Sequence, residues 1–246
     1  MRRLIFDLWP VALLLIAWQV WVGAAGYNSI VLVAPGAVFS DLLHFPDAYL
    51  LPSLHTLAFA LVGLGLGLGV GLVLASGAWL SEVLAGIATP FALLLSSTPV
   101  VCLIPIIARL FGYQNGTELI AIAVMTFFPC FVYCSAGLRQ PPAMSRDVML
   151  VLNASRLQNL RLLALPAALP ALATALRVGA TLSVLVALLA EYLMQTGGLG
   201  TLFAVTMQQF HLARALGASV LAMALSVILF ETTRAIEQRV LAVYRV

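Results

Sequence analysis

The chain has 246 residues, of which 63% are hydrophobic and 9% are charged, whereas a soluble globular domain is about 45–50% apolar and about 25% charged. This composition excludes a soluble fold and indicates an integral membrane protein. The net charge is +3, and all 12 basic residues are arginine. Because the phosphate-binding loop of a P-loop ATPase needs a lysine, the chain cannot be an ATPase of that class.

Apolar stretches long enough to cross about 30 Å of hydrocarbon as helices recur along the chain. They predict an all-α membrane protein with a single domain over residues 1–246. The predicted transmembrane helices, about six in number, span residues 9–25, 54–76, 83–108, 118–138, 170–193 and 212–233. The first is expected to remain uncleaved, since its apolar run is long for a signal peptide and no clear A-x-A site follows.

Arginine placement predicts the orientation of these spans. With both termini in the cytoplasm, ten arginines lie at the inner side and two, Arg109 and Arg214, at the outer side. This excess follows the positive-inside rule. The expected location is therefore the bacterial cytoplasmic (inner) membrane, crossed several times.

The second span alternates glycine with apolar residues. At helical spacing, Gly63, Gly67 and Gly71 form one stripe, with Gly65 and Gly69 beside it. Small residues at this spacing let two membrane helices approach closely. A phosphate-binding glycine loop is not expected, because it requires a preceding strand.

Prolines interrupt the third and fourth spans. Proline removes a backbone hydrogen bond and kinks a helix, which the membrane tolerates where hydroxyls, neighbouring helices or water satisfy the freed carbonyls. Such a break is either a structural kink or part of a pathway, and the sequence leaves both open. The candidate pathway residues near these breaks are Ser96, Thr98, Pro99, Phe127 and Phe128.

Two ionisable residues fall in the fifth span. Glu191 is expected to face protein or water, since a carboxylate at the centre of a membrane helix costs roughly 2.5–3.5 kcal/mol, and less near an interface. A role in a gate or pathway and a role as a solvated interfacial carboxylate remain open. Arg177 is expected to reach cytoplasmic water or a carboxylate there, and it is also kept as a pathway candidate.

The three cysteines lie within apolar stretches and are expected to pack as small membrane residues. Cys130 and Cys134 share a helix face, but no histidine lies within that span. The sequence therefore predicts no metal site, no catalytic residue and no cofactor bound by this chain.

The longest polar interval is the predicted cytoplasmic loop at residues 139–169. Ser145 is expected to cap a short helix, with Asp147 in its first turn. A turn follows at residues 153–155, since asparagine tolerates the left-handed conformation. A second helix is then expected to end at Pro166.

The spacing in this loop resembles the EAA loop of permease subunits of ATP-binding-cassette (ABC) importers. In that pattern, EAA is followed by three residues, glycine, nine residues, isoleucine, one residue and Leu-Pro. Asp147, Val148 and Met149 occupy the EAA positions, Asn153 the glycine and Leu163 the isoleucine, and Leu165-Pro166 matches outright.

The likeness continues beyond the loop. The run from Leu165 to Phe203 is similar to permeases of the nitrate, sulfonate, taurine and bicarbonate importers and of their thiamine-precursor and riboflavin-type relatives. The matching positions are Arg177, Glu191, Gly198 and Gly200 in this run, Ala34-Pro35-Gly36 upstream, and Pro99 and Pro105 in the third span.

The resemblance implies the type I ABC importer permease fold with a cytoplasmic coupling helix. The residues it assigns to ATPase coupling are Ser145, Asp147, Val148, Met149, Asn153, Ala154, Ser155, Leu165 and Pro166. The implied partners are two ABC ATPase subunits that bind ATP and Mg²⁺, a second permease copy in a homodimer, a substrate-binding protein and membrane lipid, with no nucleic acid. The implied cargo is a small organic or inorganic anion or a heteroaromatic vitamin precursor.

Two other classes of protein remain open at this point. A secondary transporter would use Glu191 as a proton or sodium site and would work without an ATPase. A membrane enzyme would need a convergent catalytic set, whereas His44, His55 and His211 are dispersed along the sequence.

Overall fold

The computed structural model describes residues 2–26, 28, 31–141 and 143–244, with side chains from residue 9 onward except those of Ser96, Ala143 and Arg146. These residues form helices and no strand, which confirms the all-α prediction. The helices are α1 Arg2–Ala25, α2 Pro35–His44, α3 Asp47–Leu80, α4 Glu82–Ser97, α5 Val100–Phe111, α6 Asn115–Gly137, α7 Ala143–Val151, α8 Arg156–Asn159, α9 Leu165–Met194, α10 Gly198–Gln208 and α11 Leu212–Tyr244, with a π-helical turn at Leu160–Ala164 between α8 and α9.

Four helical segments are long and apolar enough to cross a membrane. They are α3, α6, the run Arg156–Met194 and α11. The bent pair of α4 and α5 gives a fifth if it is one span, and the apolar part of α1, Trp9–Ala25, is a shorter candidate. The predicted count of six is therefore approximate.

The span predicted over residues 83–108 is not one straight helix. It divides into α4 and α5, which meet at 109°. The break falls at Thr98, whose ψ of 125° is extended, because the residue before a proline disfavours the helical conformation. Pro105, by contrast, lies inside α5 without ending it.

The centre of the bundle is formed by α3, α6 and α9. α3 packs along α6, and α9 contacts both helices. A Cβ atom added at Gly63, Gly67 or Gly71 would collide with α6, whereas Gly65 and Gly69 face open space. The glycine stripe thus packs helix on helix, as its spacing predicts. α11 packs against α9 and α10, and α2 lies on α11.

Candidate functional site

The segment predicted to couple to an ATPase begins with a short exposed helix, α7. Met144, Val148 and Val151 recur at helical spacing on this helix, and Val148 is 53% and Val151 86% exposed. Asp147 is also exposed, whereas Ser145 and Met149 are half-buried. We call Met144, Val148 and Val151 the α7 face. A stripe of apolar side chains on one face of a helix is the pattern of a surface that packs against another element.

The start of α7 differs from the prediction. The helix begins at Ala143, so that Ser145 lies inside it and is not its cap, and no acidic residue lies in its first turn. Asp147 is the fifth helical residue and therefore stands beyond the reach of the helix dipole. The physical reason is that Ala143 and Met144 are strong helix formers, which extend the helix upstream of the serine.

The turn after α7 is left-handed, as predicted. Asn153 adopts a φ of 50°, and Ala154 N–H donates to Met149 O at 3.0 Å. Ser155 then caps α8 in a capping box, in which its Oγ accepts from Gln158 N–H and Gln158 Oε1 accepts from Ser155 N–H. Sequence reasoning placed Ser155 in the turn and missed this cap, although the Ser-x-x-Gln spacing indicates it.

The predicted end of the second helix at Pro166 is wrong. The chain runs helically from α8 through the π-turn Leu160–Ala164 into α9. Pro166 follows closely on this π-turn, in which Leu165 N–H donates to Leu160 O, and such a local widening of the helix accommodates a proline inside the run. Leu165 and Pro166 are half-buried. The segment Arg156–Met194 is therefore one helical run of 39 residues.

Two hydrogen bonds attach this segment to the end of α3. Trp79 Nε1 donates to Leu138 O at 3.0 Å, and Arg156 Nη1 donates to Leu80 O at 3.2 Å. The helix α7 thus projects from a base that is fixed to the bundle.

The second candidate site surrounds Glu191, in the last turn of α9. Its carboxylate is fully buried, and Oε2 accepts hydrogen bonds from Thr56 Oγ1 at 2.9 Å and from Gly200 N–H at 2.8 Å. Leu199 N–H donates to Thr56 Oγ1 at 2.9 Å. The first backbone N–H groups of a helix have no partner within it, and here the side chains of α3 and α9 satisfy those of α10.

Two glycines make this junction possible. Gly198 has a φ of 74°, and a Cβ atom there would lie on the Glu191 carboxylate. A Cβ atom at Gly200 would stand 2.8 Å from Glu191 Cβ and against Leu188 O. The Glu and Gly-x-Gly positions of the sequence therefore form one structural unit, in which a buried carboxylate approaches the backbone closely.

Two further ionisable side chains lie beside Glu191 that sequence reasoning did not single out. His55 Nδ1 is 3.4 Å from Glu191 Oε1, and its ring stacks on Phe59 with centroids 4.2 Å apart. Glu118, in the first turn of α6, is fully buried and accepts from Thr196 Oγ1 at 2.6 Å. The signal that could have found both is an ionisable residue within a predicted apolar span.

Arg177 pairs with a carboxylate on α11. Its Nε lies 2.6 Å from Glu237 Oε2 as an ion pair, and Thr174 Oγ1 donates to Glu237 Oε1 at 2.7 Å. Arg177 and Glu191 are 14 residues apart on α9, about 21 Å along a helix that rises 1.5 Å per residue. They therefore belong to opposite ends of the bundle and do not form one site.

The remaining pathway candidates are also dispersed. Phe127 is buried in the core and Phe128 is half-buried beside it. Thr98 Oγ1 donates to Leu94 O at 3.0 Å, and Pro99 is exposed at the α4–α5 break. The side chain of Ser96 lies outside the described residues. The described members of this set therefore lie at two places, the α4–α5 break and the core beside α6.

A polar cluster ties α2 to α3 and α11. Arg214 Nε lies 3.2 Å from Asp41 Oδ2, and Tyr49 Oη donates to the same oxygen. Burial alone would raise the pKa of Asp41, but the hydrogen bonds from Arg214 and Tyr49 outweigh it and lower that pKa below its ordinary value of 3.8. Arg214, which the sequence assigns to the outer side of the membrane, is thus ion-paired.

An open apolar groove of about 620 Å³ runs between α9, α10 and α11. Tyr192 and Phe203 line it, with ring centroids 6.1 Å apart. Its lining is almost wholly apolar side chains, so it offers contact area for a flat or apolar partner.

Comparison with known proteins places the chain among transport components. The family model for the inner membrane component of binding-protein-dependent transport systems matches residues 67–242. A probable ABC transporter permease of Haemophilus influenzae is 27% identical over 200 residues, which cover 81% of this chain and 82% of that protein. The riboflavin transport system permease protein RibX of Chloroflexus aurantiacus is 32% identical over 196 residues, covering 77% and 72%. The formylaminopyrimidine transport permease protein ThiX of Halalkalibacterium halodurans is 28% identical over 155 residues, covering 63% and 62%.

Two solved structures share the fold. A chain of the MetNI methionine ABC transporter, in an inward-facing conformation, has a TM-score of 0.65 and 18% identity over 76% of this chain and 93% of that chain. A chain of an amino acid ABC transporter has a TM-score of 0.66 and 15% identity over 82% and 98%. At these identities the likeness concerns the fold alone.

Proposed function

This chain belongs to the family of inner membrane components of binding-protein-dependent transport systems and is a permease subunit of an ABC importer, and from that premise we propose how it is powered and what it carries. The family implies ATPase partners and a substrate-binding protein. The chain is a multi-pass inner membrane protein. We assign residues 1–246 to one permease domain that forms half of a translocation pathway, with a second copy of the same chain supplying the other half.

The α7 face carries the proposal for the ATPase contact. Val151, 86% exposed, and Val148 are apolar side chains on the most polar segment of the chain, where burial against a partner would remove them from water. The left-handed turn at Asn153 and the capped start of α8 fix how α7 projects from its base. Two ATPase subunits that bind ATP and Mg²⁺ would receive one such helix each and transmit their closure to the membrane helices.

The test uses the full permease with its partner ABC ATPase. In Val151→Asp, a charge enters the docking surface, and we expect the ATPase to be lost from the purified complex and ATP-driven uptake in proteoliposomes to fall by at least about tenfold, since burying an unpaired charge costs more than about 1.4 kcal/mol. Val243→Asp, at the exposed end of α11, is the matched control and should retain both.

Equal retention of the ATPase in the two variants would contradict the docking site. Uptake by the permease alone, driven by an ion gradient without ATPase, would instead support a secondary transporter.

For the cargo, the proposal is a small nitrogen heteroaromatic molecule, a vitamin or vitamin precursor. The support is that two curated relatives are named for riboflavin and formylaminopyrimidine transport. Tyr192 and Phe203 in the groove between α9 and α11 present aromatic surface on which such a ring can stack.

The substrate-binding protein that works with this permease tests the cargo directly. Calorimetry with riboflavin and a formylaminopyrimidine should give binding, and the sulfonate taurine should give none. Binding of taurine alone would replace the heteroaromatic cargo by an anion and leave the permease assignment intact.

Both termini are proposed to be cytoplasmic, on the distribution of arginines. A single cysteine introduced near the C-terminus of a variant lacking the three native cysteines should react with a membrane-impermeant maleimide in inverted vesicles and not in intact cells. Labelling in intact cells would place the C-terminus outside the cytoplasm and contradict this orientation.

A further inference from the structure

Three ligating side chains from three helices converge at one end of the bundle. His55 lies on α3, Glu118 on α6 and Glu191 on α9, and each directs one nitrogen or oxygen to within 4.8 Å of the others. These groups lie far apart in the sequence, so their meeting is a product of the fold. Glu118 and Glu191 are fully buried, whereas the His55 side chain is 22% exposed and leaves an approach from solvent.

The charge of this cluster lacks compensation. Among ion pairs between described residues, arginines pair with Glu237, Asp41 and Glu231, and neither Glu118 nor Glu191 receives one. A buried carboxylate is costly unless it is paired, coordinated or neutralised. Two buried carboxylates side by side increase the free-energy cost further, since their like charges repel.

The hydrogen bonds at the cluster follow a pattern that leaves ligating atoms free. Glu191 Oε2 is held by Thr56 and Gly200, and Glu118 Oε2 by Thr196. The other oxygen of each carboxylate is held less firmly or not at all. Glu191 Oε1 has only the long 3.4 Å hydrogen bond to His55 Nδ1, and the buried Glu118 Oε1 has no hydrogen-bond partner. Outer hydrogen bonds that orient one oxygen and leave the other free are typical of metal ligands.

We propose that His55, Glu118 and Glu191 bind one divalent first-row transition-metal ion, with Zn²⁺ as the reference ion. Imidazole nitrogen with two carboxylates suits Zn²⁺ and its neighbours, whereas Mg²⁺ and Ca²⁺ prefer oxygen ligands throughout. In a tetrahedral site with ligand bonds of about 2.1 Å, ligand atoms lie about 3.4 Å apart. The 3.4 Å between His55 Nδ1 and Glu191 Oε1 matches that spacing. The other ligand pairs lie within 4.8 Å and would have to approach by up to about 1.4 Å to bind the ion.

The ion would serve this chain as a structural cross-link. It would neutralise the two carboxylates and join α3, α6 and α9 at the end of the bundle opposite the α7 face. Since Glu191 also holds the start of α10, the metal would fix the α9–α10 junction as well. This site is independent of the ATPase contact and of the identity of the cargo.

The experiment measures metal retained by the purified full-length permease in nanodiscs. The protein is stripped with chelator, loaded with Zn²⁺, desalted and analysed by plasma mass spectrometry. The wild type should retain one Zn²⁺ per chain. Glu118→Gln, which keeps the side-chain shape, should raise the Kd for Zn²⁺ by more than about 100-fold, and Thr196→Val should raise it by about tenfold, because Thr196 orients a ligand without being one.

Two controls separate this cluster from other metal-binding groups. Glu231→Gln removes an exposed carboxylate, and Cys130→Ser combined with Cys134→Ser removes the buried thiol pair, whose sulfurs are 3.7 Å apart. Both should retain wild-type Zn²⁺. Co²⁺ bound to the wild type should show ligand-field absorption without a thiolate charge-transfer band.

Three results would each overturn the proposal: no stoichiometric Zn²⁺ in the wild type, undiminished Zn²⁺ in Glu118→Gln, or loss of Zn²⁺ in the double cysteine variant. Since a ligand variant may unfold for other reasons, Zn²⁺ should also raise the thermal unfolding midpoint of the wild type. It should not raise that of a Glu118→Gln protein that remains monodisperse.

Discussion

The carboxylate of Glu191 accepts the backbone N–H of Gly200 at 2.8 Å, across a chain reversal of nine residues. This bond joins the last turn of α9 to the first turn of α10. It requires that no side chain stand at Gly200, because a Cβ atom there would lie 2.8 Å from Glu191 Cβ. The junction therefore requires both the carboxylate of Glu191 and a glycine at position 200.

Gly200→Ala is expected to destabilise the protein by about 1–3 kcal/mol, the usual cost of an overpacked interior. Gly69→Ala is the matched control, since nothing lies within 4 Å of a Cβ atom at Gly69. The measurement is the unfolding midpoint in detergent. Equal unfolding midpoints for the two variants would show that the junction accommodates the added methyl group without loss of stability.

The glycine stripe gives a second prediction. A Cβ atom at Gly67 would stand 2.7 Å from Ala123 O and 2.9 Å from Phe127 N, so Gly67→Ala must push α6 away from α3. We expect a loss of about 1–3 kcal/mol and a lower yield of folded protein. Gly65→Ala, on the open face of α3, should leave both unchanged. A Gly67→Ala protein as stable as Gly65→Ala would argue against direct helix contact at this point.

The turn after α7 gives a prediction about coupling to the ATPase. Asn153 has a φ of 50°, which a β-branched residue adopts only with strain of about 1–3 kcal/mol. Asn153→Val is therefore expected to reduce ATP-driven uptake while the protein still inserts in the membrane, and Asn153→Gly should retain uptake, since glycine adopts this conformation freely. Asp147→Lys, which reverses the charge on exposed α7, is expected to act like Asn153→Val. Full uptake by both Asn153→Val and Asp147→Lys would weigh against coupling through this segment.

The ion pair between Arg177 and Glu237 gives a prediction about stability. Because Arg177 is 32% exposed and Glu237 10%, loss of this ion pair should cost about 1 kcal/mol, the upper end for a pair open to solvent. A double-mutant cycle with Arg177→Gln and Glu237→Gln measures the coupling between the two side chains. Additive single effects, with no coupling, would mean that the two residues act separately.

Acid should weaken the contact between α2 and α11. The pKa of Asp41 in the folded protein lies below 3.8, so the ionised carboxylate stabilises the fold above its unfolded pKa, near 3.8. That contribution is lost as the pH falls through the lower folded pKa. The difference in unfolding midpoint between the wild type and Asp41→Asn should thus shrink below about pH 4. Asp47→Asn serves as the control, and a difference that is constant with pH would contradict the assignment.

Local sequence signals predicted much of the fold. The glycine stripe of α3, the left-handed Asn153 and the break before Pro99 each depend on the conformational limits of single residues, which a sequence displays directly. The helix α7 begins upstream of the predicted cap Ser145, because Ala143 and Met144 favour the helical conformation. The sequence did not predict the continuation through Pro166, because the π-turn Leu160–Ala164 that accommodates the proline has no local sequence signature.

The clusters of ionisable residues were harder to predict. Glu191 was recognised as a membrane carboxylate, but its neighbours His55 and Glu118 come from two other helices, and only the packing of α3, α6 and α9 brings them together. Arg214 was likewise considered without Asp41, which lies 173 residues away in the sequence. Contacts of this kind depend on the tertiary arrangement and leave no local pattern.

The helical run from Arg156 to Met194 has a mechanical consequence. Its 39 residues make a rod about 58 Å long, with the turn beside α7 at one end and Glu191 at the other. Rotating such a rod by about 10° about one end moves the other by about 10 Å. Because helical structure continues without a break between the two ends, we expect a push on one end to appear as a swing at the other, with an amplitude set by the length of the run.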